Sequence, residues 1–452
     1  MNSAIPDIPE PAGPTAPVLE FTAYFTKGLG DVAADELREI LGPRPAAAAG
    51  RHRTWVTGEV DQPGERFVTV ATTLDGASRV LTTARTVDDF RLLVAGPCQV
   101  ASEGEFKSLC TVAAARTGEY LASDPERAQA PWSVTVSARN PVWSGRQSWA
   151  PAPVIAEAWH GADVAATTRS PVDLRLQADG EVMHVAVSLA ARPPGKRADP
   201  TPPRRGALRP TVAAAMVRMA LAARPQAAPA TLYDPFAGTG TIVAEAWRMG
   251  LPVFASDVDP EAVQVTRERL SRLAAAGPAR RRAGALDGAA LSHRVFVHDV
   301  RSGAAPRARA GLVVGNMPWG KQVQIPSRAE LFDGTAAVAR EAVAEGGVAV
   351  LLTTHEEQFA ARLRRALPGA QISMRRIGLL GQTPAIVMAQ PAGDAQPAGD
   401  AQPAGDAQPG GDAQPAGDAQ PEAGQALAGD GLADGNGQPV LRDGPPGGWA
   451  RG

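Results

Sequence analysis

Leu232-Tyr-Asp-Pro-Phe-Ala-Gly-Thr-Gly-Thr241 reads as the end of a buried strand followed at once by the start of a helix. Doubly wound α/β folds hold nucleotide-like ligands at such a turn. Gly238 and Gly240 remove the Cβ that would keep backbone away from a ligand, and Thr239 and Thr241 can cap the helix. A bare Gly-x-Gly also serves purely structural turns, but Asp234-Pro235-Phe236 ahead of it makes the ensemble more specific. With no Gly-Lys-Ser/Thr, a P-loop is disfavoured. The next strand, Val253-Phe-Ala-Ser-Asp257, ends in an acid nineteen residues past Gly238. That spacing sets a carboxylate beside the ribose of a dinucleotide or adenosyl ligand, where two oxygens accept from two hydroxyls. Asp259 before Pro260 is the better helix cap.

Outward from this turn, helix and strand alternate. Helices are expected to Ala223 and over 240–249, 260–275, 333–345 and 356–366. Strands are expected at 231–234, 252–256, 294–298, 311–315 and 347–353, with a closing pair near 371–379 and 384–389. Strands separated by helices mean a parallel, doubly wound sheet, here over 210–389. Upstream the pattern is α+β: a ferredoxin-like unit over 18–95, then a second unit over 96–190 with a helix from Phe106 to Leu121 and another at Pro153 to His160. Its strands are expected at 132–136, 172–176 and 182–189. Residues 191–209 form a linker whose Arg192, Lys196, Arg197, Arg204, Arg205 and Arg209 face one acid, Asp199. It reads either as a solvated linker or as a phosphate-contacting strip beside the site.

Both ends are of another kind. Residues 1–17, rich in Pro and lacking a basic start and an apolar centre, read as a disordered leader without a secretory signal. From Gln390 to the end, a Gln-Pro-Ala-Gly-Asp-Ala repeat that decays into Gly, Asp and Pro cannot bury enough apolar surface to offset its ordering entropy, and reads as a disordered tail. No stretch reaches the roughly 18 consecutive apolar residues of a membrane span, and a cytoplasmic location is expected. The formal charge of −2 averages unlike segments: nine of the 47 acids but only two of the 45 basic residues follow Ala389, leaving the rest at +5. Such a body permits phosphate contacts without requiring them. Cys98 and Cys110 are too few for a disulfide framework, and His52, His160, His184, His293, His298 and His355 share no metal spacing, so no metal is expected.

Two further strand ends carry chemistry. Asp299 closes Arg294-Val-Phe-Val-His-Asp299 and could accept from an adenine amino group. Leu312-Val-Val-Gly-Asn-Met-Pro-Trp-Gly320 places Asn316, Pro318 and Trp319 at a strand's carboxyl end. An aromatic amine such as guanine N2 is a poor nucleophile because its lone pair is delocalised. The Asn316 side-chain oxygen and a backbone carbonyl at Met317 or Pro318 can bind its two hydrogens and favour a pyramidal nitrogen, while Trp319 stacks on the base. The gain is orientation. Any planar amine suits such a site, so DNA adenine and protein glutamine remain open.

These motifs give the chain its resemblance. Leu208-Arg-Pro-Thr-Val-Ala-Ala-Ala215, Asp234-Pro-Phe-Ala-Gly-Thr-Gly-Thr241, Ser256-Asp257 and Asn316-Met-Pro-Trp-Gly320 make residues 209–388 similar to the THUMP-associated class I RNA methyltransferases that form N2-methylguanosine. Phe25-Thr-Lys-Gly-Leu-Gly30 and Trp132-Ser-Val-Thr-Val-Ser-Ala-Arg139 extend the likeness upstream to a THUMP-type RNA-binding region. The resemblance implies a Rossmann-like domain with S-adenosylmethionine as cofactor, bound by Asp234, Phe236, Gly238, Thr239, Gly240, Asp257 and Asp299, with Asn316, Pro318 and Trp319 holding the target amine. It implies RNA as partner, most of all the acceptor stem of tRNA, with ribosomal RNA the nearest alternative; a non-catalytic RNA-binding protein is the reading furthest from these motifs. Met317 stands where the family usually has Pro or Leu, and the repeat tail has no family counterpart. Oligomeric state, target position and the number of methyl groups added are not readable from the sequence.

Overall fold

The computed structural model describes residues 18–42, 56–57, 66–122, 132–139, 172–179, 182–188, 193–196, 199–202, 204, 206–224, 231–276, 294–302, 310–319, 327–344, 346–379 and 381–391. The expected leader, nearly all of the expected tail and the expected Pro153–His160 helix lie outside them.

The amino-terminal half holds β1 (Leu19–Tyr24), α1 (Gly30–Leu41), β2 (Val56–Thr57), β3 (Phe67–Thr72), α2 (Leu74–Thr83), β4 (Asp89–Gln99), α3 (Glu103–Leu121), β5 (Trp132–Arg139), β6 (Val172–Asp179) and β7 (Val182–Ser188). The sequence suggests two separate units here, but the strands form one seven-stranded sheet in the order β2-β3-β1-β4-β7-β6-β5. β4 crosses the expected boundary at residue 95 and pairs with β1 on one side and β7 on the other. A buried ion cluster reinforces the join. Arg91 on β4 gives its Nε to Asp89 at 2.8 Å and reaches past β7 to the Asp173 carboxylate of β6 at 2.7 Å. Asp173 also accepts from the Ser133 hydroxyl of β5. Helix α2 is an addition to the sequence reading; Thr73 caps it by accepting from the Gly76 amide.

The second half contains α4 (Pro210–Ala223), β8 (Leu232–Asp234), α5 (Thr241–Arg248), β9 (Val253–Asp257), α6 (Pro260–Ala276), β10 (Val295–Val297), β11 (Leu312–Asn316), α7 (Arg328–Ala344), β12 (Val348–Thr353), α8 (Glu356–Ala366), β13 (Gln371–Arg376) and β14 (Ala385–Gln390). The sheet order is β10-β9-β8-β11-β12-β14-β13, parallel except for β14, which runs antiparallel to both neighbours. Period-two alternation feeds both faces. Leu312, Val314, Val348, Val350 and Leu352 pack under α4, α5 and α6, while Val313, Ala349 and Leu351 pack against α7 and α8. Helix α7 starts five residues before its expected position because Ser327 caps it, accepting from the Glu330 amide. Strand order reverses between β8 and β11, and a crevice opens there, outside the strands' carboxyl ends.

The two halves dock closely. Gly28 (φ +88°) follows β1, and a Cβ there would lie 2.4 Å from the Arg376 carbonyl at the end of β13. Lys27 accepts from the Gly378 amide, and the Thr211 hydroxyl of α4 donates to Asp88 at 2.5 Å.

Candidate active site

A cavity of about 630 Å³ occupies the crevice, within the range that takes a nucleoside-sized ligand. It collects residues from distant parts of the chain: Asp234, Phe236, Gly238 and Thr239 at and after the end of β8, Asp257 and Val258 at the end of β9, His298 to Arg301 after β10, Asn316 to Trp319 at and after the end of β11, and Arg204, Gly206, Ala207 and Leu208 ahead of α4. Of the expected cofactor residues, only Gly240 is not on its wall.

The glycine turn is built by its neighbours. Gly238 and Gly240 both have positive φ, +52° and +75°. A Cβ on Gly240 would meet Thr266 of α6 at 2.9 Å, whereas one on Gly238 would meet nothing within 4 Å. Gly240 is therefore needed for helix packing, and Gly238 leaves open space where a ligand can approach. The Gly238 carbonyl accepts from the Thr266 hydroxyl and the Thr239 carbonyl from Arg269, so both carbonyls are tied to α6. Asp257 accepts from the Gly238 amide at 2.8 Å and the Asp259 amide at 3.0 Å, one on each oxygen. Each oxygen keeps a second lone pair. Burial pushes the Asp257 carboxyl up from its ordinary value.

Asp234 is the most perturbed acid of the site. It is 1 % exposed and accepts only the Phe236 amide among the bonds described. Burial, aided by the nearby Asp257 charge and opposed by that amide, pushes its carboxyl up to about 8. A low-dielectric pocket with an acid held neutral favours a cationic ligand that restores the charge.

Asp299 faces the same cavity but is engaged. Arg301 grips it with Nε at 2.9 Å from both oxygens and with its own amide at 3.0 Å. The Arg301 hydrogen bonds hold the Asp299 carboxyl below its ordinary value. A ligand amino group at Asp299 must share it with Arg301.

At the end of β11, the Asn316 amide donates its Nδ2 to the Gly206 carbonyl at 3.2 Å, and its Oδ1 is buried without a partner among the described residues. Of the two ends of the Asn316 amide only the NH2 can donate to a carbonyl, so this contact fixes which way the amide faces. Met317 is buried, and its amide donates to Leu352 of β12. Trp319 is half-buried with its body against the core under α4 to α6, and its Nε1 is buried without a partner among the described residues. The indole is thus packed inward on one side while still lining the cavity with Gly238.

The basic linker, expected either as a solvated linker or as a phosphate-contacting strip, is described only in part. Arg204 is spent on Asp259 at 3.1 Å and Glu261 at 3.2 Å, at the start of α6, and Arg209 reaches Asp88 at 3.6 Å. A phosphate at Arg204 would have to displace these pairs. Lys196 is exposed; Arg192, Arg197 and Arg205 lie outside the described residues. Sequence reasoning missed Val258, which is 56 % exposed on the cavity rim, and Gly206. An apolar side chain directly after the strand-end acid was the available signal for the first. Nothing local marked the second.

Residues 201–382 match the family model described as RMKL-like, methyltransferase domain. Over these residues the chain is similar to that methyltransferase-domain family. No curated protein matches the chain in sequence. Among solved structures, TrmN from Thermus thermophilus is 24 % identical, with a TM-score of 0.56 over 82 % of this chain and 99 % of that one. A possible methylase from Clostridium difficile is 14 % identical, with a TM-score of 0.53 over 84 % and 99 %. A predicted N6-adenine-specific DNA methylase from Listeria monocytogenes is also 14 % identical, with a TM-score of 0.53 over 82 % and 96 %. These likenesses concern fold, and they span both halves of the chain.

The methyltransferase domain has the Rossmann-like fold expected, and the α+β half ahead of it is consistent with a THUMP-like region. Its class takes methyl groups from S-adenosylmethionine. The residues fit that cofactor: open space at Gly238, spare acceptor capacity on Asp257, and a buried acid, Asp234, suited to a positive charge. Among the described residues, no group of His, Cys, Asp and Glu could hold a metal, and no helix is long and apolar enough to cross a membrane.

Proposed function

We propose that the chain methylates the exocyclic N2 of guanosine in RNA, with the acceptor stem of tRNA as the preferred substrate. The observation that carries this reading is the Asn316 Oδ1: a buried acceptor without a partner among the described residues, in the same cavity as the glycine turn. An unpaired buried acceptor is costly unless a ligand donor fills it. The two N–H groups of a planar amine supply that donor.

The turn at Gly238 and Thr239 would receive the amino-acid end of the cofactor, with Gly240 and Phe236 shaping it. Asp257 would accept from the ribose hydroxyls, Asp299 from the adenine amino group, and Val258 would cover a face of the ring. Asp234 would sit toward the positive charge. When bound, S-adenosylmethionine supplies an electrophilic methyl on a sulfonium. Asn316 Oδ1 and the Pro318 or Met317 carbonyl would take one amine hydrogen each, directing the nitrogen lone pair toward that methyl, and Trp319 would hold the base flat. On alkylation the amine nitrogen would become acidic and could release its proton to water. Asn316 is neutral and acts by position, so no general base is needed.

The amino-terminal sheet and the resemblance of its motifs to a THUMP-type region support RNA over free nucleosides or protein. The test is direct. Purified protein with labelled S-adenosylmethionine is incubated with total RNA lacking the modification, and the labelled nucleoside is identified by mass. N2-methylguanosine in the tRNA fraction is expected. N6-methyladenosine would overturn the base assignment, and label confined to ribosomal RNA would overturn the substrate.

A further inference from the structure

The linker that precedes the methyltransferase domain touches both halves of the site at once. Asp199, its single acid, has a side chain only 9 % exposed and lies between two arginines. Arg269 of α6 sets Nε 2.8 Å and Nη2 2.7 Å from Asp199 Oδ2, and Arg248 of α5 sets Nη2 at 3.1 Å. The other Asp199 oxygen accepts from the Thr201 amide at 3.0 Å. Burial pushes this carboxyl up, but the Thr201 hydrogen bonds and the Arg269 guanidinium more than offset it, so it stays ionised well below the usual range. Arg269 then spends its remaining nitrogen, Nη1, on the Thr239 carbonyl at 2.9 Å and the Thr241 hydroxyl at 3.1 Å. One acid in the linker thereby orients the guanidinium that anchors the cofactor turn. Seven residues later, the Gly206 carbonyl fixes the Asn316 amide.

We propose that linker residues Asp199 and Gly206 position the reaction site, with Asp199 setting the cofactor turn through Arg269 and the Gly206 carbonyl setting the target-amine acceptor through Asn316. Neither touches the reacting atoms; each acts through another side chain. Two guanidiniums converge on Asp199, so removing its charge leaves them facing each other and frees Arg269 from the geometry that holds the Thr239 carbonyl. The arginine pair also continues into the amino-terminal half: Arg248 pairs with the fully buried Glu245 at 2.8 Å, and Glu245 meets Arg85 at 3.4 Å. Gly206 has φ +84°, a conformation that a Cβ strains, so Gly206→Ala shifts its carbonyl without altering any charge.

The inference rests on the functional reading above, and the experiment separates the two. Wild-type protein is first titrated with S-adenosylmethionine and assayed on bulk tRNA. No cofactor binding there defeats the functional reading itself. With wild type active, Asp199→Asn is expected to raise the cofactor Kd and KM about 3- to 30-fold while kcat at saturating cofactor stays within about twofold of wild type. Gly206→Ala is expected to show the opposite split, with an unchanged cofactor Kd and kcat reduced roughly tenfold or more. Should Asp199→Asn fold poorly, Arg269→Lys serves: it keeps a charge beside Asp199 but cannot span Asp199 and the Thr239 carbonyl together, and the same loss of cofactor affinity is expected. Lowered melting temperatures with unchanged Kd and kcat would show that the linker is only structural glue, and would overturn the proposal while leaving the function intact.

Discussion

Replacing Asp234 by Asn separates what the site needs from what the fold prefers. The buried carboxyl is pushed up to about 8, from an ordinary value of 3.8. In the unfolded chain it ionises near 3.8; in the folded apo protein it stays neutral up to about 8. The sign is therefore opposite to that of a salt-bridged acid. Between those two values the unfolded state is favoured increasingly as pH rises, by about 1.4 kcal/mol per pH unit. The full window sets an upper bound of several kcal/mol, reached above pH 8 and absent below pH 3.8. Asn fills the same volume, can still accept the Phe236 amide and never ionises. We expect Asp234→Asn to stabilise the apo protein at pH 8 by about 2 kcal/mol or more, roughly 4–8 °C in a domain of this size, and by much less at pH 5. Cofactor binding should respond in the other direction. If the cation needs the carboxylate, the apparent Kd of the wild type is divided by the ionised fraction, which is about 1 % two units below the pKa. Its Kd should fall about tenfold per unit from pH 6 to 8 and flatten above, with close to one proton released per cofactor bound at pH 6. Thermal melts at pH 5 and 8, and calorimetry in two buffers of different ionisation enthalpy, read both effects. A wild-type Kd independent of pH, or an Asn variant that binds normally and melts no higher at pH 8, would refute the reasoning.

Three further outcomes follow from the geometry. Gly240→Ala should destabilise the apo protein by about 1–3 kcal/mol, because φ is +75° and Thr266 stands 2.9 Å from the new Cβ. Gly238→Ala, with nothing within 4 Å of its Cβ, should cost the apo melt less and cofactor affinity more; equal effects on both quantities would contradict this division of labour. Asn316→Ala should preserve cofactor affinity and lower turnover at least ~100-fold, as for loss of a positioning group; near-normal turnover would remove Asn316 from its proposed role. Arg91→Ala leaves Asp89 and Asp173 buried without their shared cation, and should destabilise the amino-terminal sheet by about 3–5 kcal/mol, read in a chemical melt.

The Rossmann-like half was legible because its signals are local. Two-sided apolar strands such as Leu312–Asn316 and the turn residues after β8 state their conformation within a few positions. The amino-terminal half was less so. A strand that pairs on both edges, as β4 does, looks the same in sequence as one that closes a unit, and only its partners β1 and β7 show that a single sheet continues across residue 95. Helix α7 was misplaced at its start because the Ser327 cap lies beyond the apolar repeat that marked the helix. The site was half visible: strand-end acids and the Asn-Met-Pro-Trp element could be named, but Asp299 gave no hint that Arg301 would grip it.

By itself, the sequence determined which residues end strands, which turns need glycine, and which chemistry a positioned amide and indole can perform, since these follow from periodicity and functional groups over short spans. The tertiary structure decided who partners whom. Asp199 is one acid in a basic stretch until folding brings it between Arg248 and Arg269; Arg204 is a free cation until Asp259 and Glu261 meet it. Charges act over a few ångströms of space rather than along the chain, so the fate of each could be settled only once the two halves and their linker were packed together.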